Sequence, residues 1–395
     1  MAKSVPMLGV QPTLLKWARE SAHLSLAEVA AKLKKTVDVI EAWESGAEAP
    51  SYPQLEKLAY SLYKRPLALF FLPSPPVEPK PEVEFRALPD VDLRRLSRET
   101  VLLIRRAHAQ QASLIELFNN RSPVAEPIWN RILLDASKPI IPQAKAVRTA
   151  LAVFAPGSDN WGEADGDVAL KIWRKAIEAN GVFVFKDTFK QKELSGFCLE
   201  HPQLPVVTIN NSVSKTRQIF SLLHELAHVL LNRRAISTFD ETRLLQLSLA
   251  EQRIERFCNQ IAAEVLVPSD DFSAQVLEFP GNVENLRSER FELLAERYHV
   301  SREVILRIFL DAGRVSPEYY ERRKAEWDGQ RTTRSKSGGN YYATKGQYLS
   351  ERLMSEVFAR YGRRQITVDE AADFIGVKAK QVDELENKFL RGLAA

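Results

Sequence analysis

Two of the chain's six histidines stand four residues apart in one pentapeptide, His224-Glu225-Leu226-Ala227-His228. On a helix that spacing puts both imidazoles on one face, within reach of a single metal ion. The carboxylate beside the first histidine is then placed to act as a general base toward metal-activated water. Chance placement of the pattern in a chain of this composition is roughly 0.01, so the motif carries weight before its context is added. The flanking residues, Phe220 to Leu231, are almost wholly apolar, which predicts a buried helix. Burying two imidazoles and a carboxylate without partners costs several kcal/mol. A bound zinc ion removes that cost; the bland alternative is a metal-free, hydrogen-bonded pair of core histidines. A catalytic zinc takes a third protein ligand and leaves its fourth position to water. The next strong helical pattern, Glu251 to Pro268, offers Glu251, Glu255, Cys258 and Glu264. At about 100° per residue, Glu255 shares a face with Cys258, Ala262 and Leu266, whereas Glu264 lies opposite. Glu251 stays open on geometry. Cys258 is a soft ligand by type, but a lone cysteine on an apolar face belongs to the core as a rule.

These residues need a folded frame, and the composition supplies one. The chain has 395 residues, 45% hydrophobic and 27% charged, which excludes a disordered protein and suggests two or three domains. The two cysteines, Cys198 and Cys258, make no disulfide framework, so a reducing cytoplasm is the expected setting. No secretory signal stands at Met1 to Val10, and apolar runs such as Leu67 to Leu72 are too short to span a bilayer. The net charge of +4 is unevenly spread. Residues 1–73 carry 9 basic and 7 acidic side chains, residues 74–320 carry 31 and 33, and residues 321–395 carry 15 and 11. The small basic surplus sits at the two ends.

Pro73 to Pro81 holds five prolines in nine residues, which cannot continue a helix and mark a boundary. The expected organisation is a helical domain over 1–73, a Pro-rich linker over 74–83, a main domain over 84–315 and a helical C-terminal region over 316–395. Asp92 to Asn119 reads as one long helix with Leu96, Leu103 and Ile104 on its apolar stripe; Arg94, Arg95, Arg98, Arg105 and Arg106 read as a solvated face. A helix over Asp167 to Asn180 and short strands at Val182–Phe185, Gly196–Leu199 and Pro205–Ile209 follow. Helical patterns return at Ser214–Asn232, Ala250–Leu266, Arg287–Tyr298 and Arg302–Asp311. Residues 329–350 hold four basic residues and no acidic one, and read as a linker or mobile loop. Beyond it, Thr367 to Lys378 reads as a helix and a glycine turn, with a further helix from Lys380. No internal repeat is evident. The expected fold class is α+β, mainly helical: a five-helix N-terminal domain, a zincin-like domain with a small sheet beside the helix of the histidine motif, and a helical C-terminal region.

In the N-terminal segment Ser25 is an N-cap with Glu28 three residues on, a capping box. Lys34-Lys35 makes a tight turn, Thr36 caps a second helix through Ile40 and Trp43, and Gly46 stops it. With Leu14 to Ser21 and Pro50 to Leu55, this stretch resembles the XRE family of helix-turn-helix domains over about residues 8–72. The resemblance implies DNA binding by the second helix of the motif, with Lys34, Lys35, Thr36, Val37, Asp38 and Glu41 as candidate contacts. Two of the six are acidic, whereas phosphate affinity needs cations; protein contact is the competing use.

Arg217 to His228, followed by Glu255 to Pro268, resembles the ImmA/IrrE family of zinc metallopeptidases. That resemblance implies Zn2+ held by His224, His228 and Glu255, with Glu225 as general base. In the family the third ligand is a Glu three residues before a small residue–Asn pair, filled here by Cys258-Asn259, with Cys258 where the family usually has Ala. Glu84 to Pro89 and Leu294 to Ser301 extend the likeness over about 84–315, and the tail resembles the C-terminal segment of long family members. The implied activity is a zinc endopeptidase that controls gene expression by cutting or inactivating an XRE-type repressor. The strand residues Val207 and Ile209 are candidates for holding an extended substrate by β-addition. Tyr298 and His299 are candidates for stabilising the oxyanion, with a structural role as the competing use. The alternative is a DNA-binding regulator or antitoxin-like protein that binds a partner toxin around a non-catalytic zinc. Neither reading involves a membrane.

Overall fold

The computed structural model describes residues 5–76, 97–153, 166–191, 194–231, 235–238, 247–277, 283–329, 346 and 348–393. The Pro-rich stretch from Val77 on, Glu84 to Pro89, Arg94 to Leu96 and most of the basic loop over 329–350 lie outside the described residues. Two compact units divide the chain: Met1–Glu84 with Asp90–Arg106, and Phe85–Pro89 with Ala107–Ala395.

The first unit is helical. α1 (Pro12–Ser21), α2 (Leu26–Leu33), α3 (Val37–Ser45) and α4 (Tyr52–Glu56) are followed by a π-helical run at Lys57–Tyr63 and a 3-10 turn at Leu67–Phe71. Their apolar faces meet in one cluster built from Leu14, Leu15, Ala18, Val29, Ile40, Trp43, Leu55 and Phe70. Ser25 and Glu28 form the capping box the sequence predicts: the Glu28 N–H donates to Ser25 Oγ at 3.2 Å and the Ser25 N–H to Glu28 Oε2 at 2.7 Å. Gly46 ends α3 at φ +82°, where a Cβ would lie 3.0 Å from Pro12 Cγ. Arg19 clasps Glu44 through two hydrogen bonds of 2.7 and 2.9 Å and so ties α1 to α3.

α5 (Arg98–Leu117) buries Leu103 and Ile104 as expected, but its arginines are not all a solvated face. Arg105 donates to the Tyr63 carbonyl at 3.3 Å and the Ser21 carbonyl at 2.9 Å, and Arg98 donates to the Leu62 carbonyl. These carbonyls are at helix C-termini, where orphaned acceptors and the negative dipole end favour a cation.

In the second unit α6 (Ile140–Leu151) and α7 (Gly166–Ala179) precede β1 (Phe183–Asp187), β2 (Leu194–Leu199) and β3 (Val206–Asn210). α8 (Lys215–Leu230), which carries the His224–His228 pentapeptide, and β4 (Ala235–Thr238) follow, then α9 (Leu249–Leu266), α10 (Ser269–Leu277), α11 (Ser288–Tyr298) and α12 (Arg302–Asp311). The strand order is β1-β3-β2-β4, with β1 parallel to β3 and β2 antiparallel to both its neighbours. α8 lies on β2 and β3 and also packs against α7 and α9; α9 in turn packs on α6. Arg148 of α6 donates to the Val265 carbonyl, closing the C-terminal end of α9.

α13 (Pro317–Gly329), α14 (Glu351–Gly362), α15 (Val368–Ile375) and α16 (Val382–Leu393) complete the unit. Buried Arg174 of α7 donates to the carbonyls of Leu349 at 2.8 Å and Val184 at 3.2 Å, which anchors the segment leading into α14. Among the described residues no helix is long and apolar enough to cross a membrane.

Candidate metal centre

Ser214 caps α8 by accepting from the Arg217 N–H at 3.4 Å, and every residue from Ser221 to Leu230 is buried. The apolar residues that surround the pentapeptide drive this burial, since both the sheet side and the α9 side of the helix are covered. His224 and His228 face α9, their ring centroids 4.8 Å apart. Glu255 projects from α9 between them, 2% exposed. His224 Nε2 lies 3.0 Å from His228 Nε2, Glu255 Oε2 lies 3.3 Å from His224 Nε2, and Glu255 Oε1 lies 3.2 Å from His228 Nε2.

Hydrogen bonds alone do not satisfy this cluster. With both Nε2 atoms protonated, two N–H groups face each other across 3.0 Å; with one bare, its lone pair faces a carboxylate oxygen. A cation between the three groups makes every contact attractive. Ligands about 2.0 to 2.1 Å from a tetrahedral ion stand about 3.3 Å apart, close to the separations found. These are the three residues that the described chain brings together with metal-ligand geometry, all buried. Two imidazoles and one carboxylate form a donor set of the kind that holds a zinc-like ion with an open position.

The electrostatics agree. Burial pushes the Glu255 carboxyl up, but His228 and His224 beside it outweigh that and hold it down at about 2. Burial disfavours charge on His224, yet Glu255, with help from Glu225 and Asn259, keeps its pKa above the ordinary value. The competing acids are engaged elsewhere. Glu251 closes a capping box with Ser248 at 2.7 Å, and Glu264 accepts from the Ser269 N–H and Oγ at 2.9 Å. Cys258 is a fully buried member of the main core.

Glu225 is fully buried on the sheet side of α8. Gly196 of β2 makes room for it: a Cβ there would lie 3.0 Å from Glu225 Oε1 and 3.0 Å from the Thr208 carbonyl. A glycine inside a strand signals such a close approach, and this is the signal in the sequence that marks the residue. Asn259, the second residue of the pair after Glu255, supports charge on His224 by a hydrogen bond, and Phe220 stacks on His224 at 6.5 Å.

The expectation that Val207 and Ile209 offer a free strand edge is corrected. β3 is interior: Val207 pairs with Val184 and Cys198, and Ile209 with Lys186 and Gly196. Both side chains are fully buried, so neither edge nor face is open. Tyr298 donates to Asp271 at 2.6 Å, beside the Arg297–Asp271 ion pair, and His299 is the left-handed C-cap of α11 at φ +51°. Both do structural work. In the first unit Lys34, Lys35, Thr36, Val37, Asp38 and Glu41 are all exposed around the start of α3. Lys34 is the left-handed C-cap of α2, and Thr36 leads into α3 without a side-chain cap bond.

Fold and site together define a helix-turn-helix module joined to a buried two-histidine, one-carboxylate centre on a zincin-like α+β frame. Residues 177–309 match the family model Peptidase_M78, described as the IrrE N-terminal-like domain, and residues 15–59 match the HTH_3 helix-turn-helix model. The two matched stretches are thus similar to an XRE-type helix-turn-helix and to an IrrE/ImmA-like domain of a metallopeptidase family, in the order the sequence predicts. The first match contains His224, Glu225, His228 and Glu255. No curated protein matches the chain.

Proposed function

We propose that the chain is a zinc-dependent endopeptidase that regulates transcription in the cytoplasm by cutting or inactivating an XRE-type repressor. The observation that carries this reading is the buried triangle of His224, His228 and Glu255, with Glu225 on the same helix. Those three side chains would hold the ion through Nε2, Nε2 and a carboxylate oxygen. A zinc ion supplies Lewis acidity toward water and a peptide carbonyl near neutral pH. Glu225 takes the proton of the attacking water as general base and returns it to the leaving amine. Glu255 and the histidines, buried and closely packed, keep the centre in one arrangement, so little reorganisation accompanies the reaction. With β3 enclosed, an extended substrate adding as a strand would have β1 or β4, the outer strands of the sheet, as its partner. The module around Lys34, Lys35, Thr36, Val37, Asp38 and Glu41 would bring the peptidase to DNA or to a DNA-bound repressor.

Glu225→Gln tests the reading, incubated with candidate XRE-type repressors beside the wild type. The expected result is a loss of cleavage on the order of 100- to 10,000-fold with zinc content unchanged. A variant that binds zinc and keeps full biological activity would instead favour a non-catalytic regulator or a toxin-binding protein.

A further inference from the structure

α14, α15 and α16 repeat the local geometry of α1, α2 and α3, a repeat that is hidden in the residue identities. Thr367 stands in the extended region at φ −77° and ψ 168°, as Ser25 does at φ −76° and ψ 158°. The Glu370 N–H donates to Thr367 Oγ1 at 3.2 Å, the distance of the Glu28 bond to Ser25. Eight helical residues follow in each case. The chain then turns in the left-handed region, at Lys34 with φ 57° and ψ 48° and at Gly376 with φ 65° and ψ 46°. The Lys35 N–H reaches the Ala30 carbonyl at 2.9 Å, and the Val377 N–H reaches the Ala372 carbonyl at 2.9 Å. Thr36 and Lys378 then return to the extended region, each at φ −85°, before the third helical element, which is α3 at once in the first motif and a 3-10 turn over Ala379–Gln381 leading into α16 in the second.

The buried positions correspond as well. Val29, Ala30, Ile40 and Trp43 of the first motif align without a gap on Ala371, Ala372, Val382 and Leu385, all of them buried. Even the preceding helices end alike, at His23 and Arg364 in the left-handed region, with one more residue before the cap in the second motif. A shared cap, turn and core spacing of this kind is what fixes the angle between the second and third helices of a helix-turn-helix.

We infer that α14–α16 form a second helix-turn-helix and that its occupant is duplex DNA, met by the start of the third helix in a major groove. Neither family match reaches these residues. The charges at the reading edge favour DNA over a protein partner. Lys378 and Lys380 stand where the first motif has Thr36 and Asp38, and Arg363 and Arg364 flank the turn before α15. Lys378, Lys380, Arg363 and Arg364 are all exposed. Cations at these places contact phosphates on either side of the groove. Asp383 and Glu384, further along the third helix, accept from Tyr361 Oη at 3.0 Å and Lys388 Nζ at 3.1 Å, which tempers their repulsion of the backbone.

The test uses the full chain and a random-sequence duplex, with affinity read by fluorescence anisotropy across a salt series. The background is Lys34→Glu with Lys35→Glu, which removes the two cations at the turn of the first motif. In it, adding Lys378→Glu and Lys380→Glu is expected to weaken binding at least about tenfold and to lower the salt slope by about 2. Lys378→Gln with Lys380→Gln, a milder surface change that keeps the melting temperature, removes the same two cations and is expected to lower the slope by about 2 as well, with a smaller loss of affinity. Binding already abolished in the background overturns the inference, as does an affinity and slope unmoved by the second pair. A partner that is protein rather than DNA would produce the latter outcome.

Discussion

The start of α3 and the α8–α9 centre both present carboxylates from helices, but under opposite conditions. Asp38 and Glu41 are exposed, so water solvates them whatever else they do. Glu225 and Glu255 are 0% and 2% exposed. A charge taken out of water needs partners, and removing one partner strands the other. A buried acid therefore testifies to a specific arrangement around it, whereas an exposed acid is compatible with many surfaces. For this reason the buried cluster of His224, His228 and Glu255 constrains function closely and the exposed start of α3 hardly does.

Four substitutions probe that contrast. Glu255→Ala leaves two imidazoles in a dry site without their carboxylate. Bound zinc should fall to a small fraction of the wild-type content, and stability should drop by about 3 to 5 kcal/mol, read by elemental analysis and urea unfolding. Undiminished zinc would remove Glu255 from the ligand set.

Lys186, another buried charge, gives a pH signature. Burial, with Arg174 and Lys215 nearby, pushes its pKa from the ordinary 10.5 down to about 7. Between those values the unfolded chain binds the proton and the folded chain does not, so stability rises with pH across that window. The expected melting temperature climbs from pH 7 upward, by an amount worth up to a few kcal/mol. Lys186→Met should flatten that climb, and an unchanged profile would show that the ammonium is solvated in the folded protein.

Gly196→Ala places a methyl 3.0 Å from both Glu225 Oε1 and the Thr208 carbonyl, and the carbonyl is backbone that yields little. It should cost about 1 to 3 kcal/mol and reduce peptidase turnover while zinc is retained. Full turnover would mean that Glu225 tolerates displacement. At the exposed end of the scale, Asp38→Lys should leave the melting temperature nearly unchanged and strengthen binding to a random-sequence duplex. A large loss of stability there would break the contrast between the two regions.

Much of the site was legible in the residues. The His224–His228 spacing and its apolar flanks place a buried metal-ligating face without any coordinates. Glu255 emerged over Glu251 and Glu264 only in part, because helical angle does not reveal that Ser248 and Ser269 engage the other two. Gly196 is marked in the sequence as a glycine inside a strand, but which group approaches it is not. The helix Ile140–Leu151 also went unread, although Ala144, Val147 and Leu151 recur on one face. The tail shows the opposite limit: its helices and glycine turn could be read, but the likeness to the first motif lies in dihedral angles and buried positions. Ser25 and Thr367, or Trp43 and Leu385, are different residues in equivalent places.

By itself the sequence determined which groups could do chemistry and which local segments would carry them, because caps, helical spacing and apolar runs act over a few residues. Only the tertiary structure decided that β3 is enclosed, that Arg98 and Arg105 close helix ends, and that Glu255 sits between two histidines 3.0 Å apart. Those outcomes depend on which elements become neighbours. Contacts between segments far apart in the chain are set by the burial of whole faces, and no local pattern encodes them.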